Sequence, residues 1–279
     1  MPAFFFCLVY DGFMAGVFFG KCYIINRRSF MLGNLQVGDC IRIDGKHLLV
    51  YGDATKIETY SCIEKHGSSV QLLLTDPPYN VNYSGTKRKN RRQLINDNLG
   101  DRYTEFLTRL LDNAARVMNP GASYYVFMAS SSITELYAAC DAAELYRSSL
   151  LLWIKNHFVL SFADYKVKHE CIQCGWKRGA THKFYDPKNL STVFNYPKPT
   201  RSKEHPTMKP IPLVKELIQY SSMPGDIVLD PCSGSGTTML AAQEFGRRCY
   251  MIEIDLEYIH SIIYRYLYFN PGAVIEITQ

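Results

Sequence analysis

The sequence predicts an α/β fold on a doubly wound, mostly parallel sheet, and three observations predict it. Short apolar runs of strand length alternate along the chain with longer runs whose apolar residues recur at helical spacing. Several of the short runs end in an acidic residue, and ligands in such sheets gather at the C-terminal strand ends. Finally, a chain of 279 residues can bury roughly three quarters of its unfolded surface in one or two cores, without a disulfide or metal to hold it.

Taken in order, strand-like runs fall at Leu48 to Tyr51, Val70 to Leu74, Ser123 to Met128, Ser149 to Ile154, Ile227 to Leu229 and Cys249 to Ile254. Apolar residues recur at helical spacing over Arg102 to Val117, Ile133 to Leu145, Leu213 to Ser222, Thr237 to Phe245 and Leu256 to Tyr268. Asp53, Asp76, Asp230 and Glu253 each follow or close a strand-like run, so the pattern sends four carboxylates to one edge of the sheet.

The run ending in Leu73-Leu74-Thr75-Asp76-Pro77-Pro78-Tyr79 has the composition of a catalytic corner for an amino group on a nucleobase. An exocyclic amine is a poor nucleophile because its lone pair is delocalised into the ring. Asp76 can accept one of its N–H groups and the Pro77 carbonyl the other, which localises the lone pair on nitrogen. Prolines fix φ and donate no N–H, so Pro78 shapes a loop that presents acceptors. Tyr79 is placed to stack on the base. A base inside a duplex cannot reach such a pocket and must be flipped out, at a cost of a few kcal/mol that stacking partly offsets. A strand followed by a proline turn and a buried tyrosine would account for the same letters.

A second motif tips the balance. Asp230-Pro231-Cys232-Ser233-Gly234-Ser235-Gly236-Thr237-Thr238 follows a short apolar strand and leads into a helix. Small residues let backbone approach a ligand, and a helix start with Thr237 and Thr238 favours an anionic group such as a carboxylate. A phosphate-binding loop needs lysine after its last glycine, where this chain has Thr237, which argues against an ATPase. Glu253 closes the next strand, about 20 residues beyond the turn, where an acid suits a pair of ribose hydroxyls. Asp255 is better placed to cap the helix beginning at Leu256.

With both motifs in place the chain resembles the S-adenosyl-L-methionine-dependent DNA methyltransferases that act on adenine N6 or cytosine N4. The resemblance runs from about Leu35 to about Ile263, with the Asp-Pro-Pro-Tyr motif ahead of the glycine turn, an order typical of the beta group. Gly52-Asp53-Ala54, Gly175-Trp176-Lys177 and His205-Pro206-Thr207-Met208-Lys209-Pro210 resemble the solitary methylases of phages and prophages. The resemblance implies a seven-stranded, Rossmann-like methyltransferase sheet, circularly permuted, carrying an inserted target-recognition region. It implies a catalytic set of Asp76, Pro77, Pro78 and Tyr79. It places the methionine part of the cofactor on Asp230, Pro231, Cys232, Ser233, Gly234, Gly236, Thr237 and Thr238, the ribose on Glu253, and the adenine amino group beside Asp53 and Ala54. Thr207 and Lys209 would close over the methionine end. Cys232 departs from the pattern, since the family most often has phenylalanine there. Asp76 rather than serine ahead of Pro-Pro leans towards adenine.

The insert is expected at 156 to 206, where aromatics mix with basic residues, Lys177, Arg178, Arg201 and Lys203 among them, a composition suited to phosphate contacts and base readout. A second basic stretch, Lys87, Arg88, Lys89, Arg91 and Arg92, follows the catalytic corner directly and is expected to close on the DNA backbone. Net charge is only +5, so local clustering carries the argument for double-stranded DNA as partner. The resemblance also allows a homodimer and a cognate restriction endonuclease.

Nine cysteines, odd in number and irregular in spacing, point to reduced thiols in a cytoplasmic enzyme. Cys171-Ile172-Gln173-Cys174, near His169 and His182, is half a zinc site with no second Cys pair, so no metal is expected. The apolar first 30 residues are broken by Asp11 and Lys21. They make a poor transmembrane helix and, without a basic start, a poor signal peptide, and they read as a misassigned start or a cloning artefact. The expected function is adenine-N6 methylation of double-stranded DNA. Cytosine-N4 methylation is the close competitor, and an RNA methyltransferase or a catalytically inactive DNA-binding module ranks lower.

Overall fold

The strand predicted at Val70 to Leu74 sits in the middle of a ten-stranded sheet. The computed structural model describes residues 35–67, 69–81, 94–158, 164–185, 189–199 and 208–278, together with the backbone of two short strands, β1 (Cys7–Tyr10) and β2 (Phe13–Gly16), which pair antiparallel. Residues 1–35 and 36–279 form two separate units.

The second unit carries β3 (Cys40–Ile43), β4 (His47–Tyr51), β5 (Val70–Thr75), β6 (Met118–Met128), β7 (Leu145–Ile154), β8 (His169–Lys177), β9 (Val193–Asn195), β10 (Ile227–Asp230), β11 (Arg248–Glu253) and β12 (Ile275–Thr278). Their order across the sheet is β12-β3-β4-β11-β10-β5-β6-β8-β7-β9. The seven from β4 to β7 in this order make up the expected sheet. β12 and β3 extend one edge and β9 the other. Only β3 and β8 run against the rest.

Helices α1 (Ser61–Lys65), α2 (Tyr103–Val117), α3 (Ile133–Ala142), α4 (Ile211–Ser221), α5 (Thr237–Glu244) and α6 (Leu256–Phe269) connect these strands. β5 is buried at every position, as a strand covered on both faces must be. α2 buries Phe106, Leu107, Leu110, Leu111 and Ala114, while Glu105–Arg109 and Asp112–Arg116 form i,i+4 ion pairs on its outer face. Between β4 and β11, His47 accepts from the Cys249 backbone N–H at Nδ1 (3.0 Å) and meets Gln243 at Nε2 (2.9 Å). Burial pushes its pKa down to about 4, so the imidazole is neutral.

Three differences from the sequence reading have local causes. The helix expected to reach Leu145 stops at Ala142, because Glu144 turns left-handed (φ 56) and Leu145 opens β7. The insert expected at 156–206 is interrupted, because His169–Lys177 is no surface loop but β8, hydrogen-bonded between β6 and β7. Gly175 permits that pairing, since a Cβ there would lie 1.8 Å from the Tyr146 carbonyl oxygen. Third, Cys40 of β3 and Cys62 of α1 are joined by a disulfide, with His66 beside them, against the expectation of reduced thiols throughout. Cys171 and Cys174 are unpaired on β8, where a spacing of three turns them to opposite faces. Among the described residues no helix is long and apolar enough to cross a membrane.

Candidate active site

Because β4, β5, β6, β7, β10 and β11 share one direction, their C-terminal ends form a single rim. Asp53 follows β4, Asp76 follows β5, Asp230 ends β10 and Glu253 ends β11. One pocket of about 240 Å³ runs along the rim and is lined by all four acids, by Ala54, Pro77, Pro78, Tyr79 and Lys209, and by the glycine turn from Pro231 to Gly234 with Thr237 and Thr238. The two motifs, about 150 residues apart in sequence, therefore open into one cavity.

At the Asp76-Pro77-Pro78-Tyr79 corner the backbone is clamped from the segment that leads into α2 and from the first residue of α2. Asp97 Oδ1 accepts from the Tyr79 N–H at 3.1 Å, and the Tyr103 hydroxyl donates to the Pro78 carbonyl at 2.7 Å. Asn80 is left-handed (φ 58), and its Oδ1 accepts from the Leu99 and Gly100 N–H groups at 2.6 and 3.0 Å. The Tyr79 hydroxyl donates to Asp76 Oδ1 at 2.7 Å and lies 3.0 Å from Glu170 Oε2. Lys209, on the segment before α4, reaches Asp76 Oδ2 at 2.6 Å, Glu170 Oε2 at 3.0 Å and the Tyr79 oxygen at 3.1 Å. Lys155, one residue beyond β7, holds the other Glu170 oxygen at 2.6 Å. Two ammonium groups thus face two carboxylates, and the cluster is neutral.

Environment separates the two acids. Burial pushes the Asp76 carboxyl up, against the pull of Lys209. Burial also opposes ionisation of Glu170, but Lys209 and Lys155 overcome it and hold that carboxyl down at about 2.

At the glycine turn Asp230 accepts from the Thr238 hydroxyl (2.6 Å) and the Cys232 N–H (3.2 Å). Glu253 accepts from the Gly234 N–H at Oε2 (2.7 Å) and the Asp255 N–H at Oε1 (2.8 Å). Asp255 in turn caps α6 through the Glu257 N–H, as its position suggested. Ser233 is tied to the Ile252 carbonyl, and Gly236 starts α5 from a left-handed φ of 74. Burial pushes Asp230 up to about 6 and Glu253 to about 7, and raises the Cys232 thiol well above its usual range, so it stays neutral. Asp53 Oδ1 accepts from the Thr55 N–H and hydroxyl.

Lys177 and Arg178 are placed otherwise than expected. β8 runs against its neighbours, so its N-terminal end reaches the pocket while its C-terminal end leaves the far side of the sheet. From Glu170 to Lys177 that is roughly 23 Å of strand. The Lys177 ammonium caps α2, donating to the Ala115 and Met118 carbonyls at 2.6 and 2.9 Å, and Arg178 lies over the Tyr146 ring. Thr207, the run Lys87, Arg88, Lys89, Arg91 and Arg92, and Arg201 and Lys203 lie outside the described residues. Glu170 and Lys155 were not anticipated. Lys155 carried a signal, an apolar run ending in a charge; Glu170 begins its strand, and only the antiparallel direction of β8 brings it to the rim.

A family model for DNA methylases matches residues 70–264, from β5 to α6, and the chain belongs to that family. It is 30% identical over 218 residues to Type II methyltransferase M.HpaI of Haemophilus parainfluenzae, a match covering 69% of this chain and 66% of that protein. It is 28% identical over 223 residues to DNA adenine methyltransferase YhdJ of Escherichia coli (strain K12), covering 68% and 74% respectively. The chain thus spans just under two thirds of the length of M.HpaI. Among solved structures, the M1.HpyAVI–SAM complex superposes with a TM-score of 0.58 at 25% identity, over 78% of this chain and 98% of that one. The cytosine-N4-specific PvuII DNA methyltransferase shares the fold, with a TM-score of 0.63 at 17% identity over 80% and 86% of the two chains.

Proposed function

We propose that this protein transfers a methyl group from S-adenosyl-L-methionine to N6 of an adenine flipped out of double-stranded DNA. The observation that carries the reading is the shared pocket, in which the Asp76-Pro77-Pro78-Tyr79 corner and the glycine turn with Glu253 open into one cavity.

The residues fit the cofactor on their own chemistry. Asp53, Asp76, Asp230 and Glu253 line the cavity, an acidic wall that suits a ligand bearing a sulfonium and an ammonium and opposes a nucleoside triphosphate. Glu253 would hold the ribose hydroxyls, Asp53 the adenine amino group, and Asp230 with the start of α5 the methionine end. When bound, S-adenosylmethionine supplies an electrophilic methyl on sulfur.

The protein contributes position and polarity. Asp76 and the Pro77 carbonyl accept the two N–H bonds of the target amine and raise electron density on its nitrogen. Tyr79 stacks on the flipped base. The N–C bond would form as the sulfonium S–CH3 bond breaks, leaving S-adenosylhomocysteine; the nitrogen would become cationic and shed a proton, for which the Asp76 carboxylate is the acceptor already in contact. Burial, which pushes that carboxyl up, suits the role. The basic residues from Lys87 to Arg92, with Arg201 and Lys203, follow the catalytic corner or precede Lys209 in sequence and are proposed to contact the DNA backbone.

Adenine is favoured by Asp76 ahead of Pro-Pro and by the likeness to YhdJ. Cytosine N4 is the second reading, since its amine meets the same two acceptors and PvuII methyltransferase has the same fold. The test incubates the protein and its Asp76→Ala variant with unmethylated DNA and methyl-labelled S-adenosylmethionine, then digests to nucleosides for mass spectrometry. N6-methyladenine from the wild type alone supports the reading, and N4-methylcytosine moves the base. Methylated RNA but no methylated DNA would overturn the substrate, and bound DNA with no methyl transfer would point to a binding module.

A further inference from the structure

Glu170 is a partly buried acid lining the pocket that has no part in the mechanism above. Its side chain is 16% exposed and sits between two lysines, Lys155 at 5% and Lys209 at 9%. A carboxylate buried only to neutralise one lysine would need one partner. This one has three, because Oε2 also lies 3.0 Å from the Tyr79 hydroxyl.

Both Lys209 and the Tyr79 hydroxyl touch Asp76 and Glu170 together. Lys209 Nζ is 2.6 Å from Asp76 and 3.0 Å from Glu170, and the Tyr79 oxygen is 2.7 and 3.0 Å from the same two groups. The phenol has a single hydrogen, so it serves one carboxylate at a time. In the state described it shares Asp76 with Lys209, on the carboxylate that must accept the substrate amine. Lys155 pins Oε1 of Glu170 at 2.6 Å and fixes Oε2 where it can receive both donors without a rotamer change.

We infer that Glu170 is a positioning residue that takes over Lys209 and the Tyr79 hydroxyl when Asp76 turns to the target amine. The inference rests on the proposed amino-methyltransferase reading and assigns a role to a residue outside it. The relay frees Asp76 as an acceptor without stranding the buried Lys209 ammonium, which would otherwise lose its partner at the moment of catalysis. Asp76 faces Lys209 before α4, Glu170 of β8, Tyr79 on its own loop, Tyr103 of α2, and Asp230 and Cys232 at the end of β10. Glu170 faces Lys155, Lys209, Asp76, Tyr79 and Cys171. Within this set Glu170 is one of the charges that raise the Asp76 carboxyl, so its removal lowers the pH at which Asp76 ionises.

The test compares wild type, Glu170→Gln and the double variant Glu170→Gln/Lys155→Met, which also removes the ammonium that the single change leaves unpaired. Single-turnover methyl transfer is measured on unmethylated plasmid DNA from pH 5.5 to 8.5, with cofactor affinity and melting temperature alongside. Carbon-13 carboxyl NMR, assigned with Asp76→Asn, follows the titration of Asp76 itself. Losing one charge-assisted hydrogen bond at the corner is expected to slow transfer on the order of 10- to 100-fold. Cofactor affinity is expected to hold, Asp76 to titrate at lower pH, and the double variant to recover the melting temperature without the rate. Recovery of the rate in the double variant would reduce Glu170 to charge balance, and an unmoved Asp76 titration would also overturn the inference. A wild type that transfers no methyl would instead sink the methyltransferase reading, and the NMR titration would still decide whether Glu170 acts on Asp76.

Discussion

Lys209 and Asp76 form a closed ion pair, Nζ to Oδ2 at 2.6 Å, between a helix-leading segment and a strand end 133 residues away in sequence. The pair joins the segment expected to close over the cofactor to the corner expected to hold the base. It has a direct consequence for Lys209→Met. With the ammonium gone, Asp76 and Glu170 lose their shared counter-charge, and the Asp76 carboxyl rises further. Methyl transfer should then need a higher pH, with the acid limb of its rate profile displaced upward. Breaking a buried pair from one side should cost about 3 kcal/mol, which calorimetry would read as a lowered Tm. An acid limb at the wild-type position would mean that Lys209 does not govern Asp76.

Asp76→Asn asks the opposite question. Glu170 remains to pair with Lys209, so the fold and cofactor binding should survive. Methyl transfer should drop on the order of 100- to 1000-fold, as when one preorganised group is lost from a site of developing charge. Rapid-quench assays beside calorimetric titration of S-adenosylmethionine would separate the two effects, and a parallel loss of cofactor binding would count against a role confined to the amine.

Much of this site was legible because its residues announce themselves locally. Asp76, Asp230 and Glu253 each close an apolar run, and strand ends in a parallel sheet converge whatever the loops do. Glu170 obeys the same geometry in mirror image, but an acid at the start of a strand is informative only once that strand is known to be antiparallel. The same reversal accounts for Lys177, whose basic, aromatic surroundings resembled a DNA-reading surface although β8 carries it to the far end of the sheet. The outer strands β3, β9 and β12, with three or four residues each, are too short for alternation to stand out.

Gly236 should be intolerant of a side chain. Its φ of 74 is left-handed, and a Cβ would approach Ile262 of α6 to 3.1 Å. Gly236→Ala therefore combines backbone strain of about 1–2 kcal/mol with a forced shift of α6 against the turn. A fall in Tm of several degrees and weaker cofactor binding are expected by thermal shift and titration calorimetry. Gly225→Ala, also left-handed (φ 87) but with open space around its Cβ, should show the backbone cost alone.

Cofactor binding should depend on pH through Glu253 and Asp230. Burial raises both carboxyls, to about 7 and about 6, so the folded protein prefers them protonated. Each therefore contributes stability that is present below its unfolded pKa and is lost as pH rises through the folded value. Shifts of this size correspond to roughly 3 kcal/mol per group. Glu170, held at about 2, has the opposite sign: its contribution is present above the ordinary glutamate pKa and is lost only as pH falls towards 2. From pH 5 to 7.5 the ligand-free protein should thus become less stable: Glu253 and Asp230 titrate in that window and together outweigh His47, which is held at about 4 and gains stability up to its unfolded pKa, while Glu170 does not titrate there. If Glu253 holds the ribose hydroxyls as proposed, a cationic cofactor favours the ionised acids, so its binding should expel protons and tighten as pH rises, by up to about tenfold per pH unit for each proton released. Calorimetric titration of S-adenosylmethionine at pH 6.5 in two buffers of different ionisation enthalpy counts those protons. Equal heats in both buffers, or an affinity flat from pH 5.5 to 7.5, would show that neither acid changes its charge when the cofactor binds.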